Sequence, residues 1–411
     1  MTGIVSDRKA PVAPPSVGRV VAVDAARAIA VIGMITMHLS PPLHADGGPT
    51  LATTMIAGRA AALFAVLAGV GVALSTGGAA PPRHRDLRVA AVGLVARAAA
   101  VGSIGVILQI AAHPPVAVIL TYYGLLFLMA VPLLGLRAAP LCWLAVAWCL
   151  VGPVLAELAR AHLPGWAWHG SATDPLGYLT TLLITGYYPV LTWATYLLAG
   201  LAVGRSRLRR PGAGVGLLVV GTALAVFAQL ASALLLGPLG GARALAAAQH
   251  APGLLLRTMN GGTPSDSWWW LAVPAPHSGT PLDLAATTGS SLAILGGCLL
   301  LARAAPGTTR ALAAVGAIPL TLYSAHLVAL VIDSHAVAGG PAHLLPELAG
   351  VVLIAAGVRW AGRRGPLEAI VAGTSGAVRR AARTRLNSRY RRFEGIPDPT
   401  NMTGGSVEGE R

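Results

Sequence analysis

The chain has 411 residues, of which 55% are hydrophobic and only 11% charged, and a formal net charge of +15. Soluble domains carry about 25% charged residues, so the composition excludes an ordinary soluble protein and points to an integral membrane protein. The positive excess does not argue for nucleic acid, because the arginines cluster in alternate loops between apolar runs, the pattern that membrane topology imposes.

Ten apolar runs approach the ~20 residues needed to cross the hydrocarbon. They are 20–40, 58–76, 87–111, 115–135, 139–159, 177–204, 212–236, 282–303, 311–333 and 342–361. The predicted fold is all-α, a polytopic integral membrane protein with about ten transmembrane helices. Its expected parts are a tail (1–18), a membrane domain (19–362) and a basic, partly disordered tail (363–411). Arg83, Arg85, Arg88, Arg137, Arg205, Arg207, Arg209, Arg210, Arg303 and Arg310 fall in alternate loops. This asymmetry places both termini in the cytoplasm of a bacterium and the protein in its plasma membrane. No cleavable leader pattern precedes the first run, so that run is expected to serve as the targeting signal.

The first run is the most informative. Asp24, Arg27 and His38 lie along it, with eleven residues, almost three turns, between Arg27 and His38. At 1.5 Å per residue those two groups share a face roughly 16 Å apart. Ionisable groups inside a membrane normally face a protein interior or a wet cavity. A neutral imidazole can act as a general base, which makes His38 a candidate catalyst; His44, in the next loop, is the competing one. Asp24 and Arg27 form either a local ion pair or part of a site for an anionic cofactor. Arg59 and Arg97, in or at the edge of the next two runs, are candidate phosphate contacts.

Of the eleven histidines, His44, His113, His162, His169, His250, His277, His335 and His343 fall outside by this topology. His38 and His326 are within runs, and His84 is cytoplasmic. Small residues four apart, Gly200 with Gly204 and Gly212 with Gly216, suit close helix packing. Trp268, Trp269 and Trp270 form either an interfacial belt or an acceptor surface. The run 311–333 carries a second polar series of Thr321, Tyr323, His326 and Asp333, with His326 a candidate partner for His38 across a cavity. The arginine-rich start of the tail is expected to lie as a helix on the anionic inner leaflet.

No phosphate-binding Gly-rich loop with Lys-Ser/Thr, no His-Glu-x-x-His, no Cys-x-x-Cys and no Gly-x-Ser-x-Gly is present, so nucleotide hydrolysis and the familiar hydrolase and zinc classes are not indicated. Cys142, Cys149 and Cys298 all fall in apolar runs, and no metal site is predicted. Proton-coupled transport through Asp24, His38, His326 and Asp333, a lipid-linked glycosyltransferase and a non-catalytic membrane scaffold are among the function classes this leaves open.

The run from Asp24 through Arg27 to His38 resembles the opening signature of the transmembrane acyltransferase superfamily. That group includes the heparan-alpha-glucosaminide N-acetyltransferase catalytic domain and the bacterial YeiB-like membrane proteins. Gly58-Arg59-Ala-Ala-Ala-Leu-Phe64 is similar to their second span. Thr185-Gly186-Tyr187-Tyr188-Pro189, Pro276-His277-Ser278-Gly279 and Leu320-Thr321-Leu322-Tyr323-Ser-Ala-His326 are similar to later segments of the YeiB-like members. The resemblance implies transfer of an acetyl or other acyl group from acyl-CoA, acetyl-CoA above all, to an acceptor across the membrane such as a cell-envelope glycan. It implies catalytic roles for Arg27 and His38, with Asp24 beside them. Lysosomal relatives place their catalytic His in the next loop, where His44 is the nearest counterpart. It further implies acceptor-binding roles for His326, His277 and Tyr323, and CoA phosphates held by Arg27, Arg59 or Arg97. The expected partners are the lipid bilayer and a small acceptor rather than nucleic acid, and a homodimer is left open.

Overall fold

A computed structural model of the chain describes residues 20–163, 174–247 and 267–393. His169 and His250, the first tail (1–18) and the end of the second lie outside the described residues. The described chain is helical, and no strand occurs in it beyond an isolated Leu43–Pro49 bridge. In order the helices are α1 (Val21–Leu39), α2 (Leu51–Ile56), α3 (Arg59–Ser75), α4 (His84–Ile107), α5 (Ile119–Ala130), α6 (Ala138–Ala161), α7 (Pro175–Thr180) and α8 (Val190–Arg205). There follow α9 (Ala213–Leu236), α10 (Gly241–Ala247), α11 (Pro281–Ala304), α12 (Pro306–Val315), α13 (Pro319–Ile332), α14 (Pro341–Trp360) and α15 (Pro366–Phe393).

Among the described residues seven helices are long and apolar enough to cross a membrane, and the protein is membrane-embedded. The expectation of about ten transmembrane helices differs from this for a local reason. The runs 177–204 and 311–333 are each broken into two helices at 53°. The first breaks at Gly186–Pro189 and the second at Gly316–Ile318. Proline starts the helix after each break or stands just before it, where its missing N–H costs no ladder bond. Trp148 of α6 donates its indole N–H to the Leu191 carbonyl at 2.6 Å just past the first break. The run 115–135 yields only the 12-residue α5 and a short 3-10 turn. Irregular backbone at membrane depth is tolerated where protein covers it or where it lines a cavity, and both breaks line cavities.

Glycines set the tightest helix contacts. A Cβ on Gly200 of α8 would stand 2.0 Å from the Val66 carbonyl oxygen of α3, and one on Gly69 would stand 2.3 Å from the Leu197 oxygen. Gly200 and Gly204 therefore pack against α3, as small-residue spacing suggests. The Gly212/Gly216 pair does not form the second seam: Gly216 meets nothing within 4 Å. That seam instead joins α9 and α11, where Gly221 approaches Gly289 and Gly214 approaches Gly296. The outer face of α9, including Val219, Val220, Phe227 and Leu230, is exposed, as expected of a helix side turned to lipid. The Trp series splits: Trp268 is exposed and Trp270 buried.

Arg205, expected to be a topology marker, is a buried fastener. Its Nη1 donates to the carbonyls of Ala73, Thr76 and Gly78 at 2.9–3.0 Å, and its Nη2 to Thr76 Oγ1 at 3.0 Å and the Leu134 carbonyl at 2.7 Å. One cation thus satisfies the carbonyls left over at the end of α3 and favours the negative end of its dipole. Arg205→Ala leaves these acceptors buried and unpaired, so a loss of about 2–5 kcal/mol is expected, read as a lower melting midpoint in detergent.

The basic start of the tail forms a helix that packs on the bundle. Its helix α15 packs along α4, and Glu368 in its first turn accepts the Leu320 and Thr321 amides at 2.7 and 3.0 Å. Those are orphan N–H groups of α13, so a carboxylate from another helix caps it.

Candidate active site

At the carboxy-terminal end of α1, three ionisable side chains form a chain. His38 Nδ1 lies 2.9 Å from His326 Nε2, with the two ring planes 6° apart. His326 Nδ1 in turn contacts Glu347 Oε1. His326 is fully buried, and the Glu347 side chain is 18% exposed. With Glu347 Oε1 as the acceptor, His326 donates from Nδ1 and accepts through Nε2. His38 must then donate from Nδ1, which leaves its Nε2 bearing the lone pair. Backbone bonds fix this end of α1: the Ala338 and Gly340 amides donate to the His38 and Leu39 carbonyls at 2.9 and 2.7 Å. The segment holding His38 therefore leads straight into α14, which carries Glu347.

His38 lines a cavity of about 230 Å³ together with Tyr187, Tyr188, His277, Met34 and Met37. Tyr187 and Tyr188 come from the break between α7 and α8, so the irregular backbone delivers them. The His277 ring lies 4.4 Å from that of Tyr187, 5.6 Å from Tyr188 and parallel to Trp193 at 6.2 Å, centroid to centroid. Its Nδ1 is buried without a hydrogen-bond partner. Burial pushes this loop imidazole down to about 3, so it is neutral at physiological pH. Gly58 (φ +71°) lets the chain pass within contact distance of Pro276, which brings the His277 loop over the cavity.

The other sequence candidates at this face separate. His44 is exposed on a turn closed by its own backbone bonds to Gly47 and Gly48, and it does not line the cavity. Tyr323 is a fastener rather than a cavity residue: its hydroxyl accepts the Ile119 amide at 3.3 Å and donates to the Ala117 carbonyl at 3.4 Å. His326 sits behind His38, not in the cavity wall. Asp333 ends α13 and approaches His343 at 3.6 Å, and Thr321 binds Glu368, so the polar series on 311–333 serves several separate sites.

At the other end of α1, Arg27 donates from Nη1 to Asp24 Oδ1 at 2.8 Å. Its guanidinium occupies space that a side chain on Gly71 would take, with Nη2 2.8 Å from the ideal Cβ position. Arg27 lines a cavity of about 390 Å³ with Arg97, Arg379, Phe127, Tyr123 and Glu368. Ala317 and Pro319, flanking the second break, complete that wall. Arg97 stands over the Phe127 ring at 5.0 Å, a cation–π geometry, and its Nε is buried without a partner. Glu368 is committed to α13, and Asp24 to Arg27, so the cavity is rich in guanidinium relative to carboxylate and suits an anion. Arg59 does not belong to this group. It opens α3 at the far end of the bundle and donates to the Thr54 carbonyl; the antiparallel course of α1 and α3 puts it near the His38 end.

With this geometry in view, residues 19–229 match the sequence profile of the family described as heparan-alpha-glucosaminide N-acetyltransferase, catalytic. The chain belongs to this family. A comparison with curated proteins finds no match. The heparan-alpha-glucosaminide N-acetyltransferase match runs from the start of α1 into α9, so it contains Arg27, His38 and Arg97. His277, His326, Glu347 and Arg379 lie beyond it, on segments that fold back onto the matched half. Glu347 and Arg379 escaped the sequence reading. An acid in the first turns of an apolar run was a usable signal for Glu347; Arg379 stood among many tail arginines with nothing to single it out.

Proposed function

We propose that the protein transfers an acyl group, acetyl foremost, from cytoplasmic acyl-CoA to a hydroxyl or amine on an extracytoplasmic acceptor such as a cell-envelope glycan. It does so as a ten-span protein of the bacterial plasma membrane, both broken runs and the short α5 counted as crossings, with both termini in the cytoplasm. One observation carries this reading. A single helix presents Arg27 to a guanidinium-lined cavity at one end and His38, backed by His326 and Glu347, to a second cavity at the other.

The donor's phosphates pair with Arg27 and Arg97, and the pantetheine arm follows α1 toward His38. The acceptor's oxygen or nitrogen attacks the thioester carbonyl carbon as His38 Nε2 takes its proton. The C–S bond breaks, and the imidazolium returns that proton to the departing thiolate. His326 and Glu347 touch neither substrate; they hold the His38 tautomer. His277 and the tyrosines give the acceptor a neutral, partly aromatic wall.

Calorimetry on detergent-purified protein tests this. Wild type is expected to bind acetyl-CoA in the micromolar range, Arg27→Ala to lose binding and His38→Ala to keep it. Absence of acyl-CoA binding by folded wild type sinks the reading. The His38–His326–Glu347 chain would equally suit a proton relay, so a proton-coupled exporter then takes first place.

A further inference from the structure

Helix α15 lies outside the segment that matches the family, yet it closes the cavity that holds Arg27. It is fixed at both ends. At its start, Glu368 caps α13, and the Leu367 amide donates to Thr321 Oγ1 at 3.3 Å. Toward its end, Arg85 beside the start of α4 donates to the Leu386 carbonyl, and Arg383 approaches Asp86 at 3.7 Å. Between these points Arg379 crosses α4 at Gly93, where a Cβ would stand 2.2 Å from the Arg379 Nε. A side chain at 93 would force the Arg379 side chain to move.

Arg379 faces two chambers at once. It lines the 390 Å³ cavity with Arg27 and Arg97, and also an outer cavity of about 760 Å³ with Arg83, Arg85 and Arg383. Ser75 is likewise shared. The Arg379 Nε is buried and has no hydrogen-bond partner, as is the Nε of Arg97 across the inner chamber. The Nε lies against Gly93, while the residue lines both chambers, and phosphate oxygens fit the fork of a guanidinium so placed.

We propose that α15 is a working wall of the donor site and that Arg379 is its third phosphate-binding guanidinium. This inference rests on the acyl-CoA reading. Arg379 grips the diphosphate where it passes between chambers: the pantetheine arm runs inward past Arg27, and the nucleotide occupies the outer chamber. A phospholipid headgroup offers the same phosphate chemistry, so the test includes it.

Coenzyme A and pantetheine, which lacks phosphate and nucleotide, are titrated into wild type, Arg379→Gln, Arg379→Lys and Arg385→Gln. Arg385 is exposed on the same helix and lines neither chamber, so its loss controls for charge alone. Arg379→Gln is expected to weaken coenzyme A about tenfold or more and to leave pantetheine unchanged. Arg379→Lys should recover part of the loss, and Arg385→Gln should match wild type. Melting curves confirm that each variant folds. Equal coenzyme A affinity in Arg379→Gln overturns the proposal while the acyl-CoA reading stands. So does an equal loss for both ligands, which marks Arg379 as packing only, or binding to phosphatidylglycerol vesicles that Arg379→Gln weakens while its coenzyme A affinity stays at the wild-type value, which assigns the guanidinium to a lipid headgroup. If wild type binds no coenzyme A at all, both readings fall together.

Discussion

Replacing His38 with alanine is expected to cut acyl turnover about 10²–10⁴-fold while leaving acyl-CoA affinity near that of wild type. The reason is separation along α1. The donor's phosphates bind at Arg27, and the proton is taken at His38, eleven residues further along the helix. Glu347→Gln is the sharper companion. The amide can offer His326 an N–H as readily as a carbonyl, so it no longer dictates which nitrogen of His326 is protonated. The His326–His38 bond can then reverse, and His38 presents a donor where the base is needed. A loss of about 10²-fold in kcat with unchanged acyl-CoA KM is expected, by analogy with other carboxylate-oriented imidazoles. Release of free thiol from acetyl-CoA, followed with a chromogenic thiol reagent in the presence of acceptor, reads both. Full turnover in His38→Ala would move the base elsewhere; full turnover in Glu347→Gln would reduce His326 and Glu347 to packing.

The membrane class, the helical fold and the placing of Arg27 and His38 on one first helix could be read from the chain, because helical period and the cost of buried charge act locally. The partnership of His38 with His326 was legible as a possibility for the same reason: both are imidazoles in apolar runs. What was not legible depends on contacts between distant segments. Arg59 and Arg27 have the same chemistry, but both stand near the starts of antiparallel helices and so end up at opposite ends of the bundle. Tyr323 and His326 are three residues apart on one helix, yet one bolts α13 to the start of α5 and the other backs His38. Arg205 looked like another loop arginine, and only the return of α8 beside α3 gives it five acceptors. The two broken runs read as straight helices because their hydropathy is continuous across Gly186–Pro189 and Gly316–Ile318. The breaks matter to function: one supplies Tyr187 and Tyr188 to the cavity at His38, the other supplies the wall beside Arg27.

Gly200→Ala is expected to destabilise the protein by at least about 3 kcal/mol, although alanine is the better helix former by about 1 kcal/mol. The added methyl would sit 2.0 Å from the Val66 carbonyl oxygen and 3.0 Å from the Gly69 Cα. Both are backbone atoms of α3, so no rotamer change relieves the clash and the helices must separate. α3 also walls both cavities, through Ala60 and Ala61 at one end and Phe64 and Ala68 toward the other. Acyl-CoA binding should therefore fall along with the melting midpoint. Gly216→Ala is the matched control. A methyl there meets nothing within 4 Å, so only the helix-propensity term acts, and stability should hold or rise by up to about 1 kcal/mol. Opposite signs for one chemical change at two helical glycines would separate packing from propensity. Equal melting midpoints for the two variants would mean that the α3–α8 contact is looser than the Gly69–Gly200 approach requires, and the close wall it gives both cavities would go with it.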